Sequence, residues 1–196
     1  MVYKVVRYLN NSILERPAAP VAEAEYNTPA LHSLVEDMFE TMYASHGIGL
    51  AAPQIDIGKR ITVIDVAGAE EGQEPERIVL INPEVVAKEG KQTGEEGCLS
   101  IPGFREPVSR AKKAVVRARD VKGDTIEITG EDLLARAFLH EIDHLNGILF
   151  INHLSALKRD LIKRKIKKLQ RAGEWELPVW TCGYQPRFFA PEQKRL

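Results

Sequence analysis

The stretch EDLLARAFLHEIDHLNG, residues 131–147, decides how this chain is read. Glu131 and Asp132 put acids in what should be the first turn of a helix, and Gly147 stands just past its end. The helix is therefore expected over Glu131–Asn146. Within it His140 and His144 are four residues apart, one turn along the same face, so both imidazoles can reach a single metal ion. Glu141, beside the first histidine, can hold a metal-bound water and move its proton. The plainer alternative is two ordinary histidines on a helix.

A catalytic metal needs a third protein ligand and one open position. In metzincin proteases a histidine follows six residues after the second ligand, and here that position holds Phe150, which cannot bind metal; His153 falls three residues too late. A downstream glutamate of the thermolysin kind would have to be Glu174, Glu176 or Glu192, in or beyond a basic helix and a Pro-containing tail. Cys98 fits better. It lies in Glu96-Gly97-Cys98-Leu99-Ser100, a turn-like spot where glycine admits another chain segment, and a thiolate with two imidazoles makes a tetrahedral site with room for water. Taken alone, Cys98 would read as a buried structural thiol.

Working outward, a first helix is capped by Asn27 or Thr28 with Pro29 in its first turn. Leu31, Leu34, Val35, Met38, Phe39 and Met42 share one face, and the helix should stop near His46-Gly47. Residues 47–58 read as loop, and 68–77 as an exposed connection. Strands are expected at Ile61–Val66, Ile78–Ile81, Val85–Lys88, Ala114–Arg119 and Thr125–Thr129, the last two joined through Asp120–Asp124. A third helix runs from about Ser155 to Ala172. The pattern gives an α+β fold: mixed or antiparallel sheets around a central helix that carries His-Glu-x-x-His, with a C-terminal helix outside. We expect one catalytic domain over 1–172 and an aromatic, Pro-containing tail over 173–196.

The 196 residues carry a net charge of -1, with 44% hydrophobic and 28% charged side chains, which argues against a protein that coats nucleic acid over its whole surface. No apolar run reaches the roughly 18 residues of a membrane span, and the first twenty residues lack the layout of a signal peptide. A cytoplasmic protein is expected, with no membrane partner. In that compartment Cys98 and Cys182 are not expected to pair.

One more segment matters: Gly47-Ile48-Gly49-Leu50-Ala51-Ala52-Pro53-Gln54, whose small residues leave the main chain bare for a pairing peptide, and whose Gln54 can donate to a developing oxyanion. By itself it would pass for a structural loop. Together, the three segments resemble the signature motifs of peptide deformylases: Gly-x-Gly-Leu-Ala-Ala-x-Gln, Glu-Gly-Cys-Leu-Ser and the His-Glu-x-x-His helix, in that order. The resemblance covers about Ile13 to Phe150, including Ile61–Val66 and Ile81-Asn82-Pro83. It departs at Leu139, where the family usually has glutamine, and at Leu9-Asn10, where it often has Pro-Asp.

The resemblance implies metal ligands Cys98, His140 and His144, with Glu141 as acid/base. It implies an oxyanion held by the metal, the Gln54 side chain and the Leu99 backbone N–H. The substrate, the N-formylmethionyl end of a new protein, would extend along Ile48, Gly49 and the Gly97 region. Its methionine would enter a pocket near Ile48, Leu133, Ala137 and His140, with Arg105 at the mouth. One divalent metal ion is implied, with Fe2+ native and Ni2+, Co2+ or Zn2+ as substitutes. The basic helix 158–171, with eight Lys or Arg and one acid, is expected to dock through Leu157, Leu161, Ile162, Ile166 and Leu169. Its charge suits a solvated face or, as the resemblance implies, the ribosome. Trp175, Trp180, Tyr184, Phe188 and Phe189 in the tail can pack on the body or on a second subunit as a homo-oligomer. Two other readings stay open: a metallopeptidase, and a structural zinc module whose fourth ligand would be Cys182, His153 or a carboxylate.

Overall fold

Thr28 opens the first helix, α1 (Pro29–Ala44): its hydroxyl accepts from the N–H of Leu31 at 3.2 Å, and Pro29 occupies the first helical position where no N–H is needed. The helix does not end on a left-handed Gly47. His46 takes that conformation at φ 54°, and the N–H groups of His46 and Gly47 turn back to the carbonyls of Tyr43 and Met42, both at 2.9 Å. This is the double closure that satisfies the last free carbonyls of a helix, and it places the left-handed residue one position before the glycine. The computed structural model describes residues 1–67 and 73–175.

The segment expected as loop after α1 holds a short strand, β1 (Gly49–Ala51), and a 3-10 turn over Ala52–Ile55 that carries Gln54. The strands that follow are β2 (Ile61–Ile64), β3 (Ile78–Glu89), β4 (Gln92–Cys98), β5 (Ile101–Arg110), β6 (Lys113–Arg119) and β7 (Thr125–Glu131). Five of them form one sheet in the order β1-β2-β3-β6-β7, each pair antiparallel, while β4 and β5 make a separate two-stranded ribbon. The two strands expected at Ile78–Ile81 and Val85–Lys88 are one. The register of β3 against β6 shifts between Ile81 and Glu84, and Asn82 sits at φ 51°, so a bulge rather than a turn separates the two apolar runs.

β2 is buried on both faces because a helix covers each. Ile61 and Val63 meet Leu31, Val35, Met38 and Phe39 of α1, and Ile64 on the other side meets Ala137, Phe138 and Ile142. Those last three belong to α2 (Asp132–Leu145), which packs on β1, β2, β6 and β7 and is buried along nearly its whole length. Beyond it the ribbon β4–β5, a 3-10 turn over Phe150–His153 and α3 (Ala156–Arg171) share a second core through Ile101, Val108, Phe150, Ile162 and Ile166. The α+β arrangement with a central α2 and an outer α3 is as expected. The docking face of α3 is narrower than its sequence implied: Ile162 and Ile166 are buried and Leu169 partly so, but Leu157 and Leu161 are exposed. Among the described residues no helix is long and apolar enough to cross a membrane.

Candidate metal centre

Two elements converge on one point. α2 brings His140 and His144 to the same side, their rings 5.0 Å apart, and β4 ends with Cys98 facing them. The Cys98 Sγ lies 3.2 Å from His144 Nε2, and one ligand atom from each of the three residues falls within 4.8 Å of the other two. All three are buried. Burial alone would push the Cys98 thiol up, but the charges and hydrogen bonds of His144 and His140 outweigh it and hold the group down to about 5. The two histidines thus favour the thiolate, the form that binds metal. Two imidazoles and a thiolate in a buried cluster fit a divalent metal ion.

His140 is held from behind by a carboxylate, Glu96, that opens the second signature motif but was given no role from the sequence. Its Nδ1 lies 3.1 Å from Glu96 Oε2, which fixes the ring and leaves Nε2 for a metal. Glu96 is fully buried between two arginines. Arg110 donates Nε and Nη2 to its two oxygens at 2.9 and 3.0 Å, and Arg136 donates Nη1 to Oε1 at 2.7 Å. Burial would raise this carboxyl, yet the bonds from His140 and Arg110 hold it well below the carboxylate range. Arg110 also reaches Asp143, which in turn bonds His153 Nε2 at 2.7 Å. A signal for Arg136 was present: with His140 and His144 it recurs at every fourth position, so a cation lies on the ligand face of the helix.

Glu141 occupies the space between α2 and β1. Burial pushes its carboxyl up to about 7, against the pull of His140 and His144, and its Oε2 has no hydrogen-bond partner among the described residues. A Cβ on Gly49 would stand 2.8 Å from Glu141 Cδ, so the bare main chain here is what admits the acid. Gln54 is buried, with Oε1 accepting from Ala51 N–H at 2.9 Å and Nε2 pointing at Cys98 Sγ (3.5 Å) and Ser100 Oγ (3.4 Å). Leu99 follows Cys98 in the two-residue turn between β4 and β5, where Cys98 pairs with Ile101.

The other expected site residues fall into two groups. Ile48 and Ala137 are buried in one apolar cluster with Leu133 packed on its rim. Gly97 and Arg105 are neighbours across the ribbon, the space beside Gly97 facing Arg105 Cγ. Leu139, the departure from the family motif, packs away from the ligands against Ala114, Ala135 and Val85. Phe150 stacks near His140 at 6.4 Å between centroids, and His153 bonds Asp143 and lies outside the ligand cluster, so neither completes a different metal site. Cys182 lies outside the described residues, as do Trp180, Tyr184, Phe188, Phe189, Glu176 and Glu192 and residues 68–72 of the 68–77 connection. Trp175 is described and is buried against Phe104, with its indole N–H donating to the Tyr8 carbonyl at 3.0 Å.

The family model for polypeptide deformylase matches residues 2–160. The chain belongs to the peptide deformylase family. A peptide deformylase from Acidobacterium capsulatum is 56% identical over 175 residues, covering 89% of this chain and 99% of the relative. The crystal structure of a peptide deformylase from Legionella pneumophila superposes with a TM-score of 0.78 at 44% identity, over 88% of this chain and 98% of that one. A deformylase from Acinetobacter baumannii bound to Met-Ala-Ser superposes with a TM-score of 0.73 at 35% identity, over 79% of this chain and 99% of that one. As a deformylase, this chain uses the cluster Cys98, His140 and His144 as its site for a divalent metal.

Proposed function

We propose that the chain hydrolyses the formamide of N-terminal formylmethionine on newly made proteins and releases formate. The observation that carries this is the buried ligand cluster with Glu141 beside it, facing the bare main chain at Gly49. Cys98, His140 and His144 hold the metal, and the ion when bound supplies an acidified water and polarises the formyl oxygen. Glu141 takes the proton of the attacking water and returns it to the departing amine; a carboxyl already raised by burial suits both directions of transfer. The Gln54 amide and the Leu99 N–H bind the oxyanion. Since β1 is an end strand of its sheet, an extended substrate can pair along Gly49, with the Gly97 region on its other side. Ile48, Leu133 and Ala137 receive the methionine side chain, and Arg105 stands at the mouth.

Fe2+ is the native metal in this reading, with Ni2+, Co2+ or Zn2+ as working substitutes, and the protein acts in the cytoplasm. The exposed cations Arg164, Lys165, Lys167, Lys168 and Arg171 on α3 support an approach to the ribosome through phosphate contacts. Trp175, buried against Phe104, supports packing of the tail on the body, with a second subunit as the alternative. The first test is formate release from formyl-Met-Ala-Ser by anaerobically prepared protein loaded with Fe2+ or Ni2+, alongside Glu141→Ala. Activity that disappears in a variant with full metal content establishes the reaction and the acid/base role. No formate from fully loaded wild type would overturn the reading. Ribosome co-sedimentation of a variant neutralised at Lys163, Arg164, Lys167 and Lys168 tests the partner, and unchanged binding would remove it.

A further inference from the structure

Three consecutive residues near the N-terminus each reach across to the catalytic segments. The N–H of Val6 donates to the Gln54 carbonyl at 2.8 Å, the Arg7 guanidinium to the Leu99 carbonyl at 2.9 Å, and the N–H of Tyr8 to the Ser100 carbonyl at 2.9 Å. Gln54 sits on the 3-10 turn after β1, whereas Leu99 and Ser100 form the turn between β4 and β5. The two segments come from different sheets. Among the described residues, the Gln54 amide reaches from one to Cys98 Sγ and Ser100 Oγ of the other, at 3.5 and 3.4 Å, both long for hydrogen bonds. The main-chain frame between them is therefore set by residues 6–8.

Within that frame Arg7 is the one side chain, and its bond is charge-assisted. Leu99 has Cys98 on one side, whose sulfur is fixed in the ligand cluster, and its own carbonyl on the other, fixed by Arg7. The peptide unit that carries the Leu99 N–H hangs between those anchors. A free carbonyl would let the two-residue turn rock about Leu99, and the N–H would swing with it. Oxyanion donors act through preorganised aim, so a loose turn costs rate while leaving ground-state binding largely alone.

We propose that Arg7 is a positioning residue for this reaction, holding the Leu99 N–H and Gln54 as one preorganised oxyanion site. The proposal rests on the oxyanion role assigned above to Gln54 and Leu99. Arg7→Met keeps most of the aliphatic stem and removes the donor, whereas Arg7→Lys restores a cationic donor to the Leu99 carbonyl.

The experiment compares wild type, Arg7→Met, Arg7→Lys and Gln54→Ala as metal-loaded enzymes, with metal content and Tm measured on each. The expected result for Arg7→Met is a fall in kcat of roughly 10- to 100-fold, below the roughly 10²–10³ that loss of an oxyanion donor costs. KM, metal content and Tm should stay near wild type, and Arg7→Lys should recover most of the rate. In the Zn2+-loaded protein, the amide resonance of Leu99 should move in Arg7→Met and return in Arg7→Lys. Wild-type kcat in Arg7→Met beside a slow Gln54→Ala would overturn the proposal and leave the oxyanion reading standing. Wild-type kcat in Gln54→Ala would overturn that reading and this proposal with it. A rate loss that tracks equal losses of Tm and metal, without recovery in Arg7→Lys, would make Arg7 a stabilising residue only and would likewise overturn it.

Discussion

A methyl group at position 49 would stand 2.8 Å from Cδ of Glu141 and 2.9 Å from its Cγ, so the acid can keep its place only while that position is glycine. Gly49 has an ordinary backbone conformation and pairs with Ile64 in the sheet, so alanine there leaves the strand intact and pushes the carboxylate instead. We expect Gly49→Ala to bind metal as wild type does and to lose about 100-fold in kcat, the size of effect that follows displacement of a reacting group by about 1 Å. Metal analysis with steady-state kinetics checks this, and a kcat within threefold of wild type would mean that Glu141 has room to yield. The two histidine ligands were legible in the sequence because the i, i+4 spacing of a helix fixes which side chains share a face, whereas Cys98 was reached by setting aside the other candidates for third ligand. Glu96 was not legible. Its partners Arg110 and Arg136 lie 14 and 40 residues away, and only the pairing of β4 with β5 and the packing of α2 bring them to it. A buried carboxylate shared by two arginines and a histidine is a fact of register, and single-residue patterns do not carry register.

At the scale of elements the same distinction recurs. α1 and α2 announce themselves through a Thr28 cap, a Pro29 start and a Gly147 stop, all local features. The ribbon β4–β5 does not. QTGEEGC offers no apolar alternation, and β5 contains Pro102 and Pro107, which argue against a strand. A two-stranded ribbon has free edges, so neither proline interrupts a ladder on both sides. Gly147 shows how tightly the end of α2 is fixed. It sits at φ 72°, and a Cβ there would stand 2.8 Å from the backbone N and C of Arg16. Gly103 at φ 80° has nothing within 4 Å of the same point. Alanine at Gly103 should cost about 1–2 kcal/mol for the left-handed backbone alone. Alanine at Gly147 adds overpacking against a main chain that cannot swing aside, for a total of about 3–4 kcal/mol. Urea denaturation of both variants at unchanged m-value measures the difference. Equal losses would show that the Arg16 segment moves freely away from the end of the helix.

Across the whole molecule the metal site joins parts that the chain order keeps distant. Cys98 belongs to the ribbon, whose core runs through Ile101, Val108 and Phe150 to α3, and the histidines belong to α2, whose core is the five-stranded sheet. An ion bound by all three is a cross-link between the two cores that exists only in the folded state. Such an ion stabilises by RT ln(1 + [M]/Kd), about 4 kcal/mol when free metal is about 1,000 times Kd. In a chain of this size each kcal/mol is worth roughly 2–4 °C in Tm, so stripping the metal with a chelator should lower Tm by roughly 8–16 °C. Cys98→Ala should shrink that gap to a few degrees, because two imidazoles on one helix bind the ion without bridging to the ribbon. Thermal unfolding of wild type and Cys98→Ala, each with saturating metal and with chelator, separates the terms. Equal Tm values for loaded and stripped wild type would mean that the ion does not tie the ribbon to α2. The two cores would then hold together without it, through Glu96 and its arginines, the bonds of residues 6–8 and apolar contact.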